Sequence, residues 1–307
     1  AWDNQPSNYV YYDYPYGSKV EKQYNAVDAE RLWFDQYAAF AAHYAQLSQK
    51  YSLPYFIMGD QLNSMTADGN RVTQAADPKG IDTNLGAERL NCTIGRRDCE
   101  WRHVINAIRT DGYNTYQHKP APDGGGRYTG KLIYSSYYEG EFEHVTWWDA
   151  LDYIGIAAYF PLARNRAGVS PDELTDIWHG RGDNSNGEGD IFSRMQKVSD
   201  KYFKPVIFTA AGYESLPGAN GSPGQTPPSD PDQDEQLNDM QALTHTFDQQ
   251  ASWWDGVFWS GEMPAPHNSQ PHWDISMNWA GDTLATSKAA GQWLAAYYRP
   301  SPLPCAC

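Results

Sequence analysis

Short apolar runs of strand length, each closing on a turn, decide most of what this chain can become. Three stand out: Tyr55–Leu62 (YFIMGDQL), Leu151–Leu162 (LDYIGIAAYFPL) and Pro205–Tyr213 (PVIFTAAGY). A run of this kind without alternation suits a strand buried on both faces, the situation inside a parallel sheet. Strands are expected at 53–58, 131–137, 152–159, 205–210 and 255–260. Between them the apolar period changes. Leu32, Phe34, Tyr37, Phe40, Ala41, Tyr44 and Leu47 recur at helical spacing over 27–50, and Trp101, Val104, Ile105 and Ile108 share one face near 98–110. Further helices are expected at 190–202, 234–250 and 282–298. Strands that alternate with amphipathic helices imply an α/β fold with helical crossovers.

The remaining segments are irregular by composition. Residues 1–26 form an aromatic, turn-rich opening, 215–235 is rich in Pro, Gly, Ser and Asp, and 301–307 is a tail. Residues 27–300 are the folded domain, with no internal repeat.

With 23 basic against 38 acidic residues, the chain lacks the clustered cations that nucleic acid requires. No run approaches the apolar length of a membrane span. A start at Ala1 with no leader is that of a processed or cut chain. Twelve Trp and 22 Tyr supply rings that suit sugar faces as well as cores. Cys92 and Cys99 would close a loop by a disulfide worth about 2–3 kcal/mol, whereas the pairing of Cys305 and Cys307 is left open. The sequons Asn91-Cys92-Thr93 and Asn220-Gly221-Ser222 agree with a secreted, extracellular protein.

Three strings, in order, carry a family resemblance. They are Trp33-Phe34-x-x-Tyr37-x-x-Phe40-x-x-His43-Tyr44-Ala45, the stretch from Trp147 to Leu162, and Gly256-Val257-Phe258-Trp259. With the runs at 55–62 and 205–213 they resemble the family 113 glycoside hydrolases, clan A β-mannanases on a (β/α)8 TIM barrel. The resemblance implies that 28–50 follows the third barrel strand and that the five strands match the fourth to the eighth. The first three strands have no counterpart here. A second polypeptide or assembly completing the barrel is the implied partner; a cleaved precursor, or residues 1–26 covering the gap, are the alternatives.

The same resemblance locates the chemistry. In the family the first segment ends Gly-Thr-Glu with the acid/base, and Phe-Thr-Glu-x-Gly-Tyr carries the nucleophile. The matching residues here are Gln61 and Ala210, and Ala157 and Ser136 replace two further site positions. Retaining hydrolysis needs two carboxyl groups about 5–5.5 Å apart, which an amide and a methyl cannot supply. The reading is a pseudoenzyme acting as a structural or carbohydrate-binding subunit. One alternative is an active β-mannanase-like enzyme with relocated carboxylates, Asp60, Glu214 and Glu262 being the candidates. Another is an active-site mutant of a real enzyme.

Tyr137, Trp147, Trp148, Tyr159, Tyr213 and Trp259 fall at the expected mouth and could stack on sugar rings or simply pack. No cofactor is required. Calcium is a candidate ligand of Asp183, Ser185 and Asp190, where oxygen side chains surround a glycine turn; a polar turn capping a helix at Ile191 is the competing reading. Arg181-Gly182-Asp183 is a three-residue match of low information, and the eight histidines lack metalloenzyme spacing.

Overall fold

The computed structural model describes residues 7–13, 18–24, 26–66, 97–110, 127–182, 188–226, 229–260 and 288–299. The chain divides into two compact units, 1–154 and 155–307.

The first unit opens with an antiparallel hairpin, β1 (Ser7–Asp13) and β2 (Ser18–Tyr24), in register from Ser7 opposite Tyr24 to Asp13 opposite Ser18. The irregular opening expected for residues 1–26 is therefore corrected: the Tyr- and Val-rich stretch has the β propensity of a strand, with Pro15 and Gly17 between the two. Helix α1 (Ala26–Lys50) buries Phe34, Ala38, Ala41, Ala42 and Ala45, a stripe at helical period. Strand β3 (Tyr55–Asp60) and the one-turn α2 (Asn63–Thr66) follow. Helix α3 (Arg97–Arg109) packs on α1 through Trp101, which meets Phe34 edge-on at 5.4 Å. Strand β4 (Lys131–Tyr137) pairs in parallel with β3. A short α4 (Glu141–His144) comes next. The Asp152 carboxylate ties this layer together, accepting from Arg109 at 2.6 Å and from the Leu132 amide at 2.8 Å.

The β3/β4 ladder is irregular at its carboxyl end. Ile57 lies opposite Ile133 but Asp60 lies opposite Ser135, so three steps on β3 match two on β4. An extra residue of this kind bends a strand and re-aims its side chains. Gly59 sits in the irregular stretch, and any Cβ there would lie 2.9 Å from the Tyr37 hydroxyl and 3.2 Å from the Tyr134 ring. Only glycine fits.

The division between units falls within β5 (Tyr153–Ala157), all five residues of which are buried. The second unit contains α5 (Pro171–Trp178), α6 (Ile191–Tyr202), β6 (Val206–Ala211), α7 (Gln233–Gln250), β7 (Trp254–Trp259) and α8 (Ala289–Tyr297). Helix α5 lies between the expected strand 152–159 and helix 190–202, where the sequence pattern gave no element. Ser170 caps it by accepting from the Glu173 amide, and Pro171 occupies its first turn. Strands β6 and β7 pair in parallel, with Val206 opposite Trp254 and Ala211 opposite Trp259. Phe247 of α7 centres an aromatic core with Trp178, Phe192, Phe208 and Trp254. Helix α5 packs on α7, so the layer outside this strand pair is helical.

Candidate functional site

In the first unit, polar side chains collect where β3 and β4 end. Asp60 and Gln61 are both exposed there. Gln61 has φ +49°, the left-handed region that L residues occupy at a cost. Its conformation is held on both sides. The Gln61 amide donates to the Ser135 carbonyl at 2.8 Å, and the Leu62 amide donates to the Tyr134 hydroxyl at 2.8 Å.

The organiser of these contacts is Glu141, a buried carboxylate. It accepts from the Tyr134 hydroxyl at 2.7 Å, from Thr66 Oγ1 at 2.5 Å and from the Tyr137 amide at 2.6 Å. Asn63, turned so that its Nδ2 donates, adds Glu141 Oε2 at 2.9 Å and the Gln61 carbonyl at 3.1 Å. Burial and the neighbouring Glu141 push the Tyr134 hydroxyl far above its usual pKa, so it stays a donor. Burial, then Asp60, pushes Tyr37 up to about 12, and its hydroxyl donates to the Met58 carbonyl at 2.7 Å. Beside this hub Tyr137 and Tyr138 are half-buried, their rings 4.5 Å apart and tilted by 48°.

The other aromatic candidates divide. Trp147 and Trp148 are fully buried: Trp147 stacks on Trp101 at 5.0 Å, and Trp148 Nε1 donates to the Phe142 carbonyl. Tyr213 is 1% exposed. These three are corrected from sugar platforms to core, because aromatic rings in this fold fill volume as readily as they line a mouth. Tyr159, half-buried, donates to Ser260 Oγ at 2.6 Å, and half-buried Trp259 donates to the Tyr298 hydroxyl at 3.1 Å.

In the second unit Ala210 sits near the end of β6, its carbonyl accepting from the Ala158 amide at 2.6 Å. Glu214 is corrected as a substitute carboxylate. It is buried and accepts from the Gly224 amide at 3.1 Å and Thr226 Oγ1 at 2.9 Å, which makes it a loop clamp. Glu262 lies outside the described residues, as do Cys92, Asn91, Asp183 and Ser185. Cys99 lies on α3. Asp190 is the cap of α6, accepting from the Ser193 amide at 2.8 Å and from its hydroxyl at 2.6 Å. Among the described residues no group of three or more His, Cys, Asp or Glu is placed to hold a metal ion.

Asn220 is also corrected. It is 0% exposed, its Oδ1 accepts from the Ala163 amide at 3.0 Å, and its Nδ2 donates to Glu235. A side chain so enclosed has no open amide for a glycan. Glu235 further accepts from Gly168 and Gly218, tying two loops to the start of α7. Burial and nearby carboxylates then raise the pKa of two acids on this helix: Glu235 moderately, against the pull of its hydrogen bonds, and fully buried Asp239 well above the ordinary value.

The chain is an α/β protein that gathers polar and aromatic side chains at strand ends, and its fold resembles part of a TIM barrel. The pattern of Glycoside Hydrolase Family 113 matches residues 83–272, more than half of the chain, and the chain belongs to that family. The match contains Ala210 and leaves Gln61 outside. Among solved structures the chain is similar to the GH113 β-mannanase AaManA from Alicyclobacillus acidocaldarius in complex with ManMIm, at 20% identity and TM-score 0.46, over 74% of this chain and 51% of that one. A second GH113 β-1,4-mannanase aligns at 20% identity and TM-score 0.45 over the same shares. A β-glucuronidase from Ruminococcus gnavus aligns at 12% identity and TM-score 0.39, over 66% of this chain and 29% of that one. The chain thus spans about half the length of the mannanase structures it matches. No curated protein matches it.

Proposed function

We propose that this family member has lost hydrolysis and serves as a carbohydrate-binding or structural subunit of a secreted assembly. The observation that carries the reading is at β6, where the family resemblance places a nucleophile and the chain has Ala210. A methyl group cannot attack an anomeric carbon, and without a nucleophile the covalent route is closed. Gln61, at the position matched to the acid/base, can hydrogen-bond but cannot shuttle a proton, a function worth about 10²–10⁴-fold in rate. Glycan binding needs neither group, because ring stacking and hydroxyl hydrogen bonds survive both replacements. The acidic composition and the Cys92–Cys99 pair support an extracellular setting, and the family resemblance implies a second polypeptide as the partner.

A reducing-sugar assay on mannan, glucomannan and cellulose tests this. The expected result is release no faster than buffer alone, with retention of at least one polysaccharide on a glycan array. Turnover that Asp60→Asn or Glu262→Gln abolishes would instead establish a hydrolase with relocated carboxylates.

A further inference from the structure

We propose that the outer edge of β3 and the adjoining flank of α1 form a self-association surface that takes a second copy of this chain, paired about a two-fold axis. The inference rests on the reading of a second polypeptide as partner, and it names that partner as the same chain.

Strand β3 pairs with β4 on one side, and among the described residues no strand borders its other side. An open edge is a template for another strand unless charge, proline or a bulge blunts it. Here Pro54 and the irregular stretch before Asp60 leave Tyr55, Phe56 and Ile57 as the regular part, and none of the three is charged. Tyr55 and Ile57 share one face of the strand and are both 39% exposed.

The helix beside this strand continues the patch. At about 100° per residue, Phe34, Tyr37, Tyr44 and Phe40 follow one another around α1 in that order. Phe34 meets Trp101 of α3, and the Tyr37 hydroxyl donates to the Met58 carbonyl of β3. Tyr44 and Phe40 therefore lie past β3, on the flank turned away from α3. Their rings are 4.8 Å apart and nearly half exposed, and exposed Tyr51 and Leu53 carry the patch to the start of β3.

Charge and area select a second copy as the occupant. Two chains of net charge −15 repel wherever their acidic faces meet. Between Asp35 and Asp60 the one Asp, Glu, Lys or Arg is Lys50, so like chains can approach here. Phe40, Tyr44, Tyr51 and Tyr55 are 39% to 68% exposed. At roughly 200 Å² per aromatic side chain, their rings leave about 400 Å² in water. Two copies would cover about 800 Å² through these rings alone, and Leu53, Ile57 and the strand edge bring the total toward the roughly 1,200 Å² of a small specific interface. The symmetry is also satisfied. A two-fold axis normal to the sheet pairs β3 with its copy antiparallel and keeps both helical layers on one side, so α1 meets α1.

The test is sedimentation velocity of the intact chain from micromolar to submillimolar concentration. Wild type should show a monomer–dimer equilibrium, tightened by added salt as the repulsion between acidic copies is screened. Its melting temperature should rise with protein concentration, because association stabilises by mass action. Ile57→Lys sets like charges at the two-fold contact and should weaken dimerisation at least about a hundredfold. Tyr44→Ser should weaken it about tenfold or more, through an aromatic contact that the symmetry makes twice. At dilution, where every protein is a monomer, both variants should melt as wild type does, since the substituted side chains face solvent. Phe203→Ser removes a 90% exposed ring from the end of α6 and should leave association unchanged, which general stickiness would not. A wild type that stays monomeric overturns the proposal. So does a dimer that Ile57→Lys and Tyr44→Ser leave intact, or a species that grows beyond two copies, because a two-fold contact closes. The assays for hydrolysis and glycan retention are read separately, so none of these results touches that part of the functional reading. Native material carrying a different polypeptide that Ile57→Lys releases would exclude the second copy while leaving the partner reading in place.

Discussion

The Tyr134 hydroxyl donates to Glu141 at 2.7 Å while accepting from the Leu62 amide at 2.8 Å. One phenol thus connects a buried carboxylate on α4 with the loop that follows β3. The ring itself is fully buried, among Trp101, Trp147 and Trp148.

Tyr134→Phe keeps that packing and removes only the oxygen. It leaves the Leu62 amide without its acceptor and Glu141 without one donor. Loss of a buried partner costs about 1–3 kcal/mol. The urea midpoint should fall accordingly with no change in slope, since the exposed area on unfolding is the same.

Trp101 is the pivot of the first unit's core. It meets Phe34 edge-on, stacks on Trp147 at 5.0 Å, and its Nε1 donates to the Met65 carbonyl at 3.0 Å. Trp101→Ala should cost about 3–5 kcal/mol through the cavity it leaves, with a further loss from the unpaired carbonyl. Trp101→Phe should recover part of this. Chemical unfolding of the three proteins measures it.

What the sequence made legible was period. Strand 131–137 and the helix over 97–109 follow directly from their apolar spacing, and the family strings located Gln61 and Ala210 at strand ends. What it hid was burial. Nothing local distinguishes Trp147, which stacks inside the core, from Tyr137, which stays half-exposed. The hydrogen-bonding role of Glu141 was hidden because one of its partners, Thr66, is 75 residues away in the chain. Helix α5 did carry a signal, the Ser170-Pro171-Asp172-Glu173 cap, outweighed by the polar composition around it. The β1/β2 hairpin was obscured because its Tyr, Pro and Gly content reads equally as turns.

Asn220 carries a sequon but does the work of a clamp, with Oδ1 on Ala163 and Nδ2 on Arg166 and Glu235. Asn220→Ala should destabilise by about 1–3 kcal/mol, because the buried Ala163 amide loses its acceptor and the Glu235 carboxylate loses one of its donors. Peptide mapping of the protein expressed through a glycosylating host should find Asn220 unmodified, and a glycan there would require a different local fold.

Asp239 provides the last prediction, through pH. It is fully buried, and neither carboxyl oxygen has a hydrogen-bond partner among the described residues. Desolvation is the main cause of its raised pKa, followed by repulsion from Glu235, Asp232 and Glu214. Tyr213 faces it with its own buried, unpartnered hydroxyl, which burial and then Asp239 raise well above the ordinary value. The folded state therefore favours neutral Asp239, whereas the unfolded chain ionises it near pH 3.9. Proton binding is then greater in the folded state across the interval between the two values. Stability must fall as pH rises through that interval, and Glu235, shifted in the same direction, adds to the trend. Asp239→Asn keeps the shape and removes the titration. Its melting temperature should exceed that of wild type at pH 7 by at least about 2 °C, and the advantage should shrink toward pH 4 as wild-type Asp239 regains its proton in both states. Melting curves from pH 4 to pH 8 decide the matter, and parallel profiles for the two proteins would mean that Asp239 does not titrate as its surroundings dictate.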